Sequence, residues 1–157
     1  MGAAECNQEG LRLESLFVLQ QKKSPKEALD AAWVSSYYFL MGDSCDKARQ
    51  MLGHVLAAPA LLSGTQKQTF GMLAGFDHRS LRQLRSFLLG KRDSVLGAKR
   101  EAAKGAPSLY LTNIGFDESA AKIVLDYVLP HAHDFLKAID LANGKKHRCS
   151  LCGLAGE

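Results

Sequence analysis

Two cysteines spaced as Cys-x-x-Cys, Cys149 and Cys152, come closest to a chemical site in this sequence. Two thiolates at this spacing form half of a tetrahedral zinc site, which needs two further cysteine or histidine ligands. His147 is very close in sequence, and Glu157 stands where a zinc knuckle would place its histidine. The pair is thus an incomplete metal site whose partners lie beyond residue 157, or it binds no metal. We expect no cofactor in this chain.

The segment from residue 78 to residue 104 is strongly basic. It carries eight lysines and arginines against two acids, a net charge of +6, whereas the whole chain carries +4. Such a local excess of positive charge indicates that this segment binds an anionic partner, although a solvated helix surface is the simpler interpretation. The basic residues are Arg79, Arg82, Arg85, Lys91, Arg92, Lys99, Arg100 and Lys104.

Three of these arginines are spaced three residues apart, so on a helix they lie on neighbouring faces. Leucines occupy the opposite side and can pack inward while the guanidinium groups point outward. Guanidinium groups bind phosphate bidentately, so the surface suits anionic lipid or nucleic acid. Phe87 is the only Phe, Tyr or Trp in the segment, which argues against a groove that stacks single-stranded bases. We predict phosphate contact without base readout.

Catalytic motifs are missing from the sequence. It contains no P-loop, no GxGxxG, no HExxH and no GxSxG pattern, and its acids occur singly, as they do on solvated helices. We therefore expect a binding and assembly protein that is not an enzyme and has no small-molecule substrate.

The positions of capping and helix-ending residues predict an all-α fold of about eight helices without a sheet. Ser24 and Ser63 each begin a capping-box pattern. Asp77 and Asp117 are further N-cap candidates, and Pro130 is expected to break or kink a late helix. A run at 109–112 is the only strand-like stretch, and one short run does not make a sheet.

Two small packed helical bundles are expected: an N-terminal subdomain at 1–90 and a middle subdomain at 91–157 that ends at the Cys-x-x-Cys pair. No apolar run approaches the roughly 18 residues that span a bilayer. No secretory signal is visible. Four cysteines, two isolated and two in the Cys-x-x-Cys pair, favour a reducing compartment, although their number also allows two disulfides.

Five segments follow one another in a distinctive order. They are a proline-led helix from Ser24 to Gly42, a helix from Asp46 to Pro59, an apolar helix through Leu61–Leu73, an arginine-rich helix at Ser80–Phe87, and Cys149–Cys152. In this order the chain resembles the N-terminal domain of orthomyxovirus matrix proteins, the influenza-type matrix family, as a divergent member. The resemblance is best from residue 24 to residue 90.

The resemblance implies a viral structural protein of the virion that lines the inner face of the envelope. It would bind anionic phospholipid membrane and viral ribonucleoprotein through its basic surface and self-associate into a layer. In the host cell it would occupy the cytoplasmic face of the plasma membrane, the cytoplasm and the nucleus. Two other interpretations stay open: an RNA-binding protein with a half zinc site, and a helical adaptor that binds protein partners.

Overall fold

The computed structural model describes residues 2–148, and every regular element in that range is helical. The predicted all-α class is therefore confirmed, with no strand among these residues. The described residues form nine α-helices: α1 (Gly2–Gln20), α2 (Pro25–Met41), α3 (Cys45–Leu56), α4 (Gly64–Ala74), α5 (His78–Leu89), α6 (Arg92–Ala102), α7 (Pro107–Asn113), α8 (Glu118–Ile123) and α9 (Ala132–Ala142). Short 3-10 turns occur at Pro59–Leu61 and Leu129–His131, and a π-helical turn at Val124–Val128.

The predicted N-caps begin four of these helices. Ser63 accepts a hydrogen bond from the backbone N–H of Gln66, whose side chain accepts one from the N–H of Ser63 in return, so this capping box is complete. Ser24, Asp77 and Asp117 each accept from the backbone N–H three residues later. These bonds satisfy N–H groups that a helix cannot pair internally.

Helix α1 begins much earlier than its large apolar residues indicate. Its buried face carries Leu13 and Phe17 and continues toward the N-terminus with small residues. These are Gly2, Cys6 and Gly10. A Cβ at Gly10 would lie 2.8 Å from the ring of Phe39, so glycine allows α1 to pack closely against α2.

The strand-like run at 109–112 lies inside α7, which begins at Pro107. Proline suits the first position of a helix because its missing N–H has no intrahelical partner there. Helix α6, which precedes α7, begins at Arg92.

Helix α2 is the centre of the fold. Thirteen of its seventeen residues are buried, and it packs against α1, α3, α5 and α9. A helix that is apolar on nearly all faces needs neighbours around it. The surrounding helices therefore carry the polar surface.

The predicted break near Pro130 is confirmed and has a role in packing. The chain passes through the π-helical turn and a 3-10 turn before α9 starts. The backbone carbonyl of Tyr127 in this stretch accepts hydrogen bonds from two side chains of α2, Trp33 Nε1 at 2.9 Å and the Tyr37 hydroxyl. These bonds satisfy a buried carbonyl where the regular helical pattern is interrupted.

The buried side chains form one continuous cluster that draws on residues from both sides of position 90. Helix α9 packs on α1, α2 and α6. The division into subdomains at 90/91 stays a prediction. No helix among residues 2–148 has the length and hydropathy to cross a membrane.

Candidate anion-binding surface

Helix α5 presents the basic face that its sequence predicts. Leu81, Leu84 and Leu88 are buried, whereas Arg79 and Arg82 are exposed on the outer side. Asp77 caps the start of the helix, and hydrogen bonds from Ser80 hold the pKa of its carboxyl below the usual value. The start of the helix is thus fixed by its cap, and its leucines decide which face points outward.

The outer face of α5 is an open depression. It has a volume of about 660 Å³. Its lining residues are His78, Arg79, Arg82, Gln83 and Ser86. Arg79 makes no ion pair or hydrogen bond with any of residues 2–148. Its guanidinium group is therefore available to an external phosphate.

Two acids approach this face, one from the turn between α2 and α3 and one from the first turn of α3. Nε of Arg82 lies 3.3 Å from Oδ1 of Asp43, and Nε2 of His78 lies 2.6 Å from Oδ1 of Asp46. All four side chains are more than two-fifths exposed, so water and salt screen these pairs. They moderate the positive charge of the face without removing it.

Two of the predicted phosphate ligands instead bind backbone carbonyls of the same chain. Nε of Arg85 donates to the carbonyl of Met41 at 2.9 Å, and Nζ of Lys99 donates to the carbonyl of Leu129 at 3.4 Å. Met41 is the last residue of α2, where carbonyls lack helical partners. Arg85 therefore attaches α5 to the C-terminal end of α2.

Arg92 forms the most enclosed ion pair of the basic segment. Its Nε and Nη2 donate to the two carboxylate oxygens of Asp140 at 2.6 and 3.1 Å. The Asp140 side chain is only 4% exposed, and it also lies 2.8 Å from Nδ1 of His147. Arg92 donates as well to the backbone carbonyl of Arg148. This network joins α6, α9 and the residues that follow α9.

The remaining basic residues lie at the surface of α6 and beside it. Nζ of Lys91 lies 5.4 Å from the ring centroid of Phe87 and 5.7 Å from that of Phe116, within cation–π distance. Arg100 is exposed, and Nζ of Lys104 lies 3.4 Å from a carboxylate oxygen of Glu101.

The eight predicted residues thus separate into two sets. The first set is exposed and consists of Arg79, Arg82, Arg100 and Lys104. The second set directs its donors into the protein and consists of Arg85, Arg92 and Lys99. Lys91 belongs to neither set, because its ammonium group lies over aromatic rings. Sequence reasoning missed Asp140, the acid that receives Arg92. The signal in the sequence was the position of this carboxylate between Ile139 and Leu141 in an apolar helix. Buried acids are rare unless they are paired, so such a position indicates a partner elsewhere in the chain.

The predicted metal ligands Cys149 and Cys152 lie outside the described residues. Within residues 2–148 no group of three or more histidine, cysteine or acidic side chains is arranged to hold a metal ion. The rings of His133 and His147 lie 5.2 Å apart. Cys6 and Cys45 are buried free thiols, and burial raises the pKa of Cys6 to about 11.

Comparison with known proteins gives no match. No protein-family model matches the chain, and no curated protein and no solved structure is similar to it at a significant level.

Proposed function

We propose that this protein is a matrix-type structural protein. It binds anionic membrane lipid and viral ribonucleoprotein through the exposed basic residues of α5 and α6, and it self-associates into a layer beneath the envelope of a virion. In the host cell it acts in the cytoplasm and nucleus and at the cytoplasmic face of the plasma membrane. The order of helical segments described above supports this assignment.

The observation that carries the proposal is the outer face of α5. Arg79 and Arg82 lie about one helical turn apart, both exposed, over three buried leucines. A guanidinium fork binds the oxygens of a phosphate group in parallel, and a rigid helix fixes its position. The face therefore suits a surface rich in phosphate, such as a lipid bilayer or a ribonucleoprotein.

The exposure of the side chains in the basic segment supports a smaller set of phosphate contacts. We assign the phosphate contacts to Arg79, Arg82, Arg100 and Lys104. Arg85, Arg92 and Lys99 position the helices that carry them, since their donors are directed to groups of the protein itself.

The test is co-sedimentation with vesicles of equal parts phosphatidylserine and phosphatidylcholine. Each basic side chain near an anionic membrane contributes about 1 kcal/mol. Loss of two therefore weakens binding roughly 30-fold, and Arg79→Glu/Arg82→Glu is expected to reach at least that value. Added salt is expected to weaken binding of the wild-type chain, because salt screens exposed charges.

A charge-matched control uses two exposed lysines elsewhere, Lys67→Glu/Lys137→Glu. It changes the net charge by the same amount and is expected to retain most of the binding. Equal losses in both double variants would show that total charge matters and the α5 face does not. Binding of the wild-type chain that is unchanged by salt would also contradict the proposal.

The ribonucleoprotein part is tested with RNA in the absence of lipid. Phosphate contact without base readout predicts similar affinities for RNAs of different sequence and a steep salt dependence. Strong preference for one sequence would contradict it. Sedimentation velocity over a range of protein concentrations tests self-association, and a monomer at every concentration would refute a layer.

A further inference from the structure

The connection between α1 and α2 carries exposed apolar side chains at one end of the molecule. Val18 and Leu19, in the last turn of α1, are 61% and 67% exposed. Leu61, in the 3-10 turn that follows α3, is 44% exposed. Single exposed leucines are common, but adjacent ones at a helix end form a protruding apolar surface. We call residues 18–23 the α1–α2 tip.

The tip is also basic. The stretch from residue 15 to residue 26 contains three lysines and no acid. Lys26 pairs with Asp30 at 3.1 Å, whereas Lys22 and Lys23 are exposed and form no ion pair with any of residues 2–148. The acids that flank this stretch are Glu14, which pairs with Lys47, and Glu27, in the first turn of α2.

An apolar groove opens beside the tip. It has a volume of about 200 Å³ and lies between the end of α1, the start of α2 and the end of α3. Its lining includes Phe17, Pro25, Ala28 and Ala57. Exposed apolar side chains, an apolar groove and two unpaired lysines therefore lie at the same end of the molecule.

This combination matches the interface of an anionic membrane. Apolar side chains enter the boundary between headgroups and acyl chains, and the lysine stems extend along apolar surface while their ammonium groups reach lipid phosphate or carboxylate. A soluble acidic protein or RNA would satisfy the lysines but leave Val18 and Leu19 in water. Charge and hydropathy together favour lipid.

The tip is separate from the arginine face of α5. Helix α2 has seventeen residues, so its ends are about 25 Å apart. The tip precedes its first residue, and Arg85 holds α5 to Met41 at its last. No large apolar side chain of α5 is exposed, so α5 offers charge alone.

We propose that the α1–α2 tip inserts Val18 and Leu19 into the headgroup region of anionic membranes, with Lys22 and Lys23 against the lipid headgroups. The inference rests on the proposed function to the extent that the protein binds anionic membranes, and it adds an inserted contact that the arginine face does not provide.

Tryptophan fluorescence measures insertion directly. The variant Leu19→Trp is mixed with vesicles of equal parts phosphatidylserine and dibrominated phosphatidylcholine, whose bromines quench tryptophan in the acyl region. The native Trp33 is 3% exposed and supplies a constant background. Leu109→Trp is the matched control, because Leu109 is 62% exposed on α7. We expect quenching of the tryptophan introduced at the tip and little quenching of the control.

Charge reversal at the tip measures its share of the affinity. Lys22→Glu/Lys23→Glu is expected to weaken vesicle binding on the order of 30-fold and to abolish the quenching in the Leu19→Trp background. Lys145→Glu/Lys146→Glu is the control, since it reverses another adjacent pair of exposed lysines with the same change in net charge. It is expected to leave the quenching intact.

The outcomes separate the inference from the proposed function. Co-sedimentation without quenching at the tip, or equal losses in the two lysine variants, would overturn the inference and leave the proposed function standing. Quenching that survives Arg79→Glu/Arg82→Glu would support the inference, and vesicle affinity that is also unchanged by this variant would remove the arginine face as a lipid contact. If the wild-type chain does not bind the vesicles, both are overturned.

Discussion

Replacing Arg92 with leucine tests whether this residue stabilises the fold or binds phosphate. The side chain donates to both carboxylate oxygens of Asp140, which is 4% exposed. Arg92→Leu would leave this carboxylate buried, with His147 as its remaining side-chain partner among residues 2–148. A buried charge that loses its partner costs about 3 to 5 kcal/mol.

The lower end of that range applies here, because Arg92 is 24% exposed and water can reach part of the gap. For a chain of this size about 3 kcal/mol corresponds to a fall in Tm of roughly 6 to 12 °C. The assay is thermal unfolding followed by circular dichroism. Arg79→Leu is the control, since an exposed residue without a partner is expected to change stability by about 0.5 kcal/mol or less.

Two further variants separate the pair from its parts. Arg92→Leu/Asp140→Leu is expected to recover much of the lost stability, because it removes the unpaired buried charge together with its partner. Arg92→Lys keeps the charge but cannot donate in the same bidentate geometry, so it is expected to fall between Arg92→Leu and wild type. If Arg92→Leu unfolds at the same temperature as Arg79→Leu, the assignment of Arg92 to the fold is refuted.

Three other predictions concern the packing of the helices. Tyr37→Phe removes a hydroxyl donor to the carbonyl of the π-helical turn and is expected to cost about 1 kcal/mol in urea unfolding. Gly10→Ala places a Cβ against Phe39 and is expected to destabilise by about 1 to 3 kcal/mol. Its control Gly53→Ala, in a helix with open space around the new methyl group, is expected to stabilise by up to about 1 kcal/mol. Burial lowers the pKa of His131, so the unfolded chain binds this proton more readily and Tm is expected to fall as pH drops below about 6.5.

Each of these predictions has a contrary result. Unchanged urea midpoints for Tyr37→Phe would mean that the hydroxyl is dispensable to the turn. Equal effects of the two glycine substitutions would mean that α1 has room to move away from α2. The variant His131→Gln is expected to flatten the fall in Tm below pH 6.5, and an identical pH profile would attribute the fall to other groups.

Local signals in the sequence predict where several of the helices begin. Ser63, Asp77 and Asp117 cap helices because a side-chain oxygen reaches a backbone N–H only three residues away. The alternation of leucine and arginine in α5 likewise depends on the period of a single helix. Such features need no knowledge of the rest of the chain. The early start of α1 has no such local signal, because its buried face there consists of the small residues Gly2, Cys6 and Gly10.

The sequence by itself determined the helical class, the capped starts of the helices and the concentration of positive charge between residues 78 and 104. Only the tertiary structure decided which of those charges face outward. Arg92 forms an ion pair with Asp140, which lies 48 positions later in the sequence. Arg82 forms one with Asp43, which lies in the turn between two other helices. The reason is physical: helix caps and periodicity depend on residues within one turn, whereas the partner of a charge depends on how the helices pack.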